Sequence, residues 1–161
     1  MEIKGKALRT CCFFGHRNTV ETKELREKLR VIIEKLITEE SVDTFLFGSK
    51  SRFNDLCHEL VTKSKENHPH VKRIYVRAEY PEINDAYRAY LSKDYEETYF
   101  PKKLLKAGRA IYVERNREML RKSDFCVICY DENRAPTTRR SGTGIALRYA
   151  VQQKKRVIMV S

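Results

Sequence analysis

The chain has 161 residues, enough for a single domain spanning 1–161 with a sizeable core. Its 41% hydrophobic content is ordinary for a globular protein, its 34% charged content is somewhat high, and no run of about 18 apolar residues offers a membrane span. The formal net charge is +11, and residues 101–161 hold 15 Lys/Arg against 5 Asp/Glu, so the excess sits late in the chain. Such asymmetry suits an anionic partner, with a solvated basic face as the plainer alternative.

Leu8 to Phe14 reads as a short buried strand ended by Gly15. Asn18 with Glu21 fits an N-cap and its N3 partner, which predicts a helix from about Thr19. On that helix Leu25, Leu29, Ile32, Leu36 and Ile37 share one face. Thr44 to Phe47 is a second apolar strand ended by Gly48, and the helix after it turns Phe53, Leu56, Leu60 and Val61 inward. Val71 to Val76 predicts a third strand. Pro81 to Gly108 reads as short helices in an ordered insertion, and Ile111 to Val113 as a brief strand. Asn116 to Lys122 predicts a helix with Met119 and Leu120 inside, "FCVICY" at 125–130 a buried strand, Ile145 to Gln153 a helix and "RVIMV" a last strand. This alternation implies an α/β fold: three layers around a mostly parallel central sheet with right-handed crossovers.

In such a sheet, ligands sit where strands end and helices begin. Three polar junctions fall at such places: Gly15-His16-Arg17, Gly48-Ser49-Lys50 and Arg140-Ser141-Gly142-Thr143-Gly144. The third has glycines that let backbone N–H groups approach a phosphate, hydroxyl donors, and a following helix with a partial positive charge. Arg139 and Arg140 would add charge-assisted bonds, although a turn followed by an N-cap explains the same pattern. No P-loop or full dinucleotide-binding glycine pattern is present, which argues against a Walker NTPase and an ordinary dehydrogenase.

Five cysteines, and a start (MEIKGKALRT) without an apolar h-region, lead to the expectation of reduced thiols in a cytoplasmic protein. Cys126 and Cys129 have CxxC spacing, but positions three apart on a strand face opposite ways, so they cannot chelate one ion. Cys57-His58 lies mid-helix without a matching pair, and His68 and His70 flank Pro69 in a turn read as solvated. No metal site or cofactor is expected.

The GHR turn, "FLFGSKSRFNDLCHELV", "IYVERNREM" and "SGTGIALRYAV" together resemble the SLOG superfamily, in particular its small stand-alone YpsA-like bacterial members. The resemblance covers almost the full length and implies a Rossmann-like sheet that binds nucleotides or nucleotide-derived ligands. It places Arg115, with Asn116 beside it, in the family's arginine-bearing stretch. Related phosphoribohydrolases carry P-G-G-x-G-T-x-x-E with a catalytic Glu; Gly142-Thr143 match the G-T, Arg139 and Arg140 stand at the first two glycines, and the Glu position is Ala146.

The resulting expectation is a binding module, a sensor or carrier of a nucleotide-like ligand. Arg115, Ser141, Gly142 and Thr143 would lie at phosphate, with His16, Arg17, Ser49 and Lys50 around the rest. The alternative is an N-glycosidic hydrolase using Asp55, Glu79 or Glu114, each otherwise a surface acid. Third is single-strand nucleic-acid binding, weak and salt-sensitive, through a positive surface around 134–144. A homo-oligomer stays open, and no membrane association is expected.

Overall fold

Strand β1 (Arg9–Gly15) sits in the middle of the sheet because its run Cys11-Cys12-Phe13-Phe14 is apolar on both faces. Around it the computed structural model describes residues 7–17, 19–48, 50–130 and 142–160. The remaining elements are α1 (Lys23–Thr38), β2 (Val42–Phe47), α2 (Arg52–Lys65), β3 (Lys72–Val76), α3 (Asp85–Ser92), β4 (Glu97–Tyr99), α4 (Ile111–Lys122), β5 (Phe125–Cys129), α5 (Gly142–Gln152) and β6 (Arg156–Met159). The six strands are all parallel, in the order β4-β3-β2-β1-β5-β6.

Alternation along β1 builds two cores. Cys11 and Phe13 face α1 and α2, where Leu29, Ile33, Phe53 and Val61 are fully buried. Phe13 stacks on Phe45 and Phe47 at centroid distances of 5.8 and 5.6 Å. Cys12 and Phe14 face α4 and α5, against Met119, Leu120, Ala146 and Ala150. The result is a Rossmann-like three-layer sandwich. Cys126 joins the second core, while Cys129 packs against the first, as period-two alternation requires.

Several local readings are corrected. Helix α1 starts at Lys23, capped by Thr22, whose hydroxyl accepts from the Leu25 N–H at 3.0 Å; the proposed cap Asn18 lies outside the described residues. Thr19 belongs to the preceding loop, held because its amide and hydroxyl both donate to the His16 carbonyl. Ile33 joins the buried stripe of α1, and Ile32 packs half-buried against the same core. Residues 111–113 are the first turn of α4, continuing two 3₁₀ turns at Lys102–Lys106 and Gly108–Ala110. The strand in this region is instead Glu97–Tyr99, which occupies the free edge of β3. His68 is not simply solvated: its Nε2 lies 2.8 Å from a Glu34 carboxylate oxygen.

No helix among the described residues is long and apolar enough to cross a membrane.

Candidate functional site

The strand order runs outward from β1 in both directions, so the carboxyl ends of β1 and β5 flank the reversal where open sheets take ligands. Gly15 and Cys129 are register partners there. The residues that follow them, His16 and Tyr130, bring their rings to 5.3 Å. His16 is buried; the Arg17 side chain is exposed. The Arg17 carbonyl accepts from the Arg52 N–H at 3.1 Å, which ties this loop to the start of α2. Ser51 caps α2 by accepting from the Asn54 N–H at 3.0 Å, and the Asn54 side-chain amide donates to the Phe13 carbonyl at 3.4 Å. Close packing explains Gly15: a Cβ there would lie 2.3 Å from the Phe53 ring.

Among the described residues three arginines are almost fully buried, and their partners differ. Arg73, 7% exposed, bonds both oxygens of the Glu96 carboxylate, at 3.1 and 2.6 Å, and also the Thr62 hydroxyl. Burial alone would push Glu96 up; the bonds from the Arg73 side chain and backbone outweigh it and hold the acid below its ordinary range. Arg77, 6% exposed, donates to the Tyr80 and Pro81 carbonyls and the Thr98 hydroxyl. Its three nitrogens are thereby each occupied.

Arg115 is different. It is 5% exposed, lies in the second turn of α4 rather than ahead of the helix, and, like Arg77, has no ion-pair partner among the described residues, but its nitrogens are not all occupied. Nη1 donates to the Gly48 carbonyl at 2.6 Å and Nε to the Asn116 side-chain oxygen at 3.0 Å. Its Nη2 has no hydrogen-bond partner among the described residues. The guanidinium stands over the Tyr112 ring at 5.6 Å. Desolvation lowers its pKa, opposed by the nearby Tyr75, Tyr112 and Glu79. With no carboxylate opposite it and Nη2 left over, the guanidinium is suited to meet an anion. Gly48 is needed for the approach: an added Cβ would sit 2.8 Å from Arg115 Cδ and 2.9 Å from Met119 Sδ.

Beside it, the exposed Lys50 pairs with Glu79 at 3.1 Å, and the Tyr112 hydroxyl donates to the same Glu79 oxygen at 3.3 Å. The Lys50 bond is the main reason Glu79 is held below the ordinary carboxylate range. Of the other two carboxylates considered, Glu114 pairs with Arg117 at 2.9 Å, and Asp55 is an exposed residue in the first turn of α2.

Gly142, Thr143 and Gly144 form the first turn of α5. Gly142 is exposed, and a Cβ on it would meet nothing within 4 Å among the described residues. Asn116, which accepts from Arg115, lines a narrow crevice with Gly142 and Ala146 between α4 and α5. Ala146 itself is 3% exposed within the apolar core.

The fold thus gathers Gly48, Lys50, Arg115 and Asn116 into one linked cluster and sets Gly15, His16 and Arg17 at the strand-order reversal. Ser49, Arg140 and Ser141 lie outside the described residues, as does most of the loop at 134–144. Sequence reasoning missed Tyr112 and Tyr130. Tyr130 follows a strand end directly, a position that could have flagged it; Tyr112 was hidden by reading its segment as a strand.

Among the described residues no group of three or more His, Cys, Asp or Glu side chains could hold a metal ion. Comparison with protein-family models gives no match to the chain, and a search of curated proteins finds none significantly similar to it.

Proposed function

We propose that the protein is a SLOG-type binding module for a nucleotide or nucleotide-derived ligand, with its phosphate at Arg115 and the start of α5. The observation that carries this reading is the buried Arg115 guanidinium: Arg73 is matched by Glu96, and Arg77, which like Arg115 has no ion-pair partner among the described residues, donates from all three nitrogens, whereas Arg115 keeps Nη2 without an acceptor among them. A phosphate supplies the missing counter-charge and accepts charge-assisted bonds. The first-turn amides of a helix add to the attraction. Ala146 provides no carboxylate where the related hydrolases hold one, which favours binding over hydrolysis.

The hydrolase reading keeps one supporting feature, the ionised Glu79 next to the Arg115 cluster. Single-strand nucleic-acid binding is less well supported. The exposed Tyr80 and Tyr90 lie in a stretch, 78–100, with six acidic and two basic residues, the wrong charge for a phosphate backbone.

The test is calorimetric titration of the protein and its Arg115→Gln variant with a panel of nucleoside 5′-phosphates, with chromatography for released base. Binding weakened by about 1.5–3 kcal/mol in the variant, with no base released, supports the module. Equal affinities would place the anion elsewhere. Base release lost in Glu79→Gln would establish the hydrolase.

A further inference from the structure

Arg115 and Glu79 are close enough to influence each other electrostatically, yet they do not form an ion pair. Tyr112 stands between them. Its ring lies under the Arg115 guanidinium at 5.6 Å, and its hydroxyl donates to Glu79 Oε1 at 3.3 Å. Lys50 takes the same oxygen, at 3.1 Å. Each member of the separated pair therefore keeps one terminus without a partner among the described residues: Nη2 on Arg115 and Oε2 on Glu79.

This arrangement is unsuited to a bare anion. An inorganic phosphate at Arg115 would be attracted by the guanidinium and opposed by the Glu79 carboxylate beyond Tyr112, whose charge Lys50 offsets only in part. A ligand that offers an anion at one end and hydroxyl donors at the other satisfies both. A sugar phosphate has that form, with the 5-phosphate and the vicinal 2,3-hydroxyls at opposite ends of a furanose. A carboxylate accepting from a ribose hydroxyl is a recurrent solution at the rim of parallel sheets.

The geometry points to Glu79 as the residue that selects a vicinal diol, so that the site prefers ribose phosphates over their 2-deoxy counterparts and over inorganic phosphate. This rests on the reading of Arg115 as the anion site. Tyr112 is the positioning residue: it separates the two charges and leaves both able to meet one ligand.

The experiment titrates ribose 5-phosphate, 2-deoxyribose 5-phosphate and inorganic phosphate, at millimolar concentrations, into the wild type and Glu79→Gln. The wild type is expected to hold ribose 5-phosphate on the order of tenfold more tightly than the deoxy sugar. In Glu79→Gln the ribose ligand should weaken, while the deoxy sugar and inorganic phosphate bind as well or better because the repelling charge has gone. This opposite movement is the signature of a diol acceptor. A variant in which all three ligands weaken together marks Glu79 as structural, and one in which all three strengthen marks it as a mere repeller; either overturns the inference. Equal wild-type affinity for the two sugars overturns it too, while leaving Arg115 as an anion site. Absence of binding by all three would overturn both. Thermal melting of Glu79→Gln accompanies the titrations, and the wild-type ratio of the two sugars decides the matter without the variant.

Discussion

Arg115 Nη1 donates to the Gly48 carbonyl at 2.6 Å, a bond between the middle of α4 and the carboxyl end of β2, across 67 positions of sequence. One side chain therefore closes a backbone junction and leaves part of its guanidinium for a ligand. Arg115→Ala removes both functions. It should lower stability by about 1–3 kcal/mol, because a buried carbonyl loses its donor. Denaturant unfolding of Arg115→Ala checks this; a midpoint equal to the wild type would show that the bond contributes nothing.

Gly48→Ala should act through the same contact. The new methyl group would meet Arg115 Cδ and Met119 Sδ at under 3 Å, so the arginine must shift. A loss of about 1–3 kcal/mol is expected from the overpacking, together with weaker anion binding. Gly142→Ala, with nothing within 4 Å of its new Cβ, should leave stability much nearer the wild type. Melting curves of the two variants side by side test the contrast.

The Arg73–Glu96 pair gives a pH dependence with a definite sign. Arg73 holds Glu96 below its unfolded value, so the stabilisation is complete above the ordinary carboxylate pKa of about 4.3 and is lost as pH falls through the lower folded value. Glu96→Gln should therefore be less stable than the wild type at pH 7, with the difference narrowing in acid. A difference that stays constant down to pH 2.5 would contradict the assignment.

The thiols should be inert in the native state. Cys11, Cys12, Cys57 and Cys126 are buried, and burial raises the Cys11, Cys57 and Cys126 pKa values. Only Cys129 is partly exposed. A thiol reagent should label at most this one position before unfolding and all five after it; rapid native labelling of Cys126 would refute the burial.

Much of the fold was legible because its central strands are apolar runs closed by a glycine or a polar loop, as in Phe13-Phe14-Gly15 and Leu46-Phe47-Gly48. The errors fell where local signals competed. Asn18 and Glu21 imitate a capping box, but the capping bond is made by Thr22. Ile111-Tyr112-Val113 has β-prone residues in a helix, since β4 already fills the sheet edge. In the candidate site, the strand–helix junctions pointed to Gly15, His16, Gly48 and Lys50, and the resemblance pointed to Arg115. Its missing counter-charge was not legible. That depends on Glu96 facing Arg73 and on Tyr112 standing between Arg115 and Glu79, both products of tertiary packing.

The most direct test of the central claim follows the Arg115 guanidinium itself. In a ¹⁵N–¹H spectrum its Nε–H signal, assigned by its loss in Arg115→Lys, is recorded while a nucleoside 5′-monophosphate is added. A ligand phosphate at Arg115 predicts a saturable shift of this signal, accompanied by the backbone amides of Gly48, Thr143 and Gly144. An Nε–H signal that stays fixed while the nucleotide perturbs amides elsewhere would show that Arg115 holds no ligand anion.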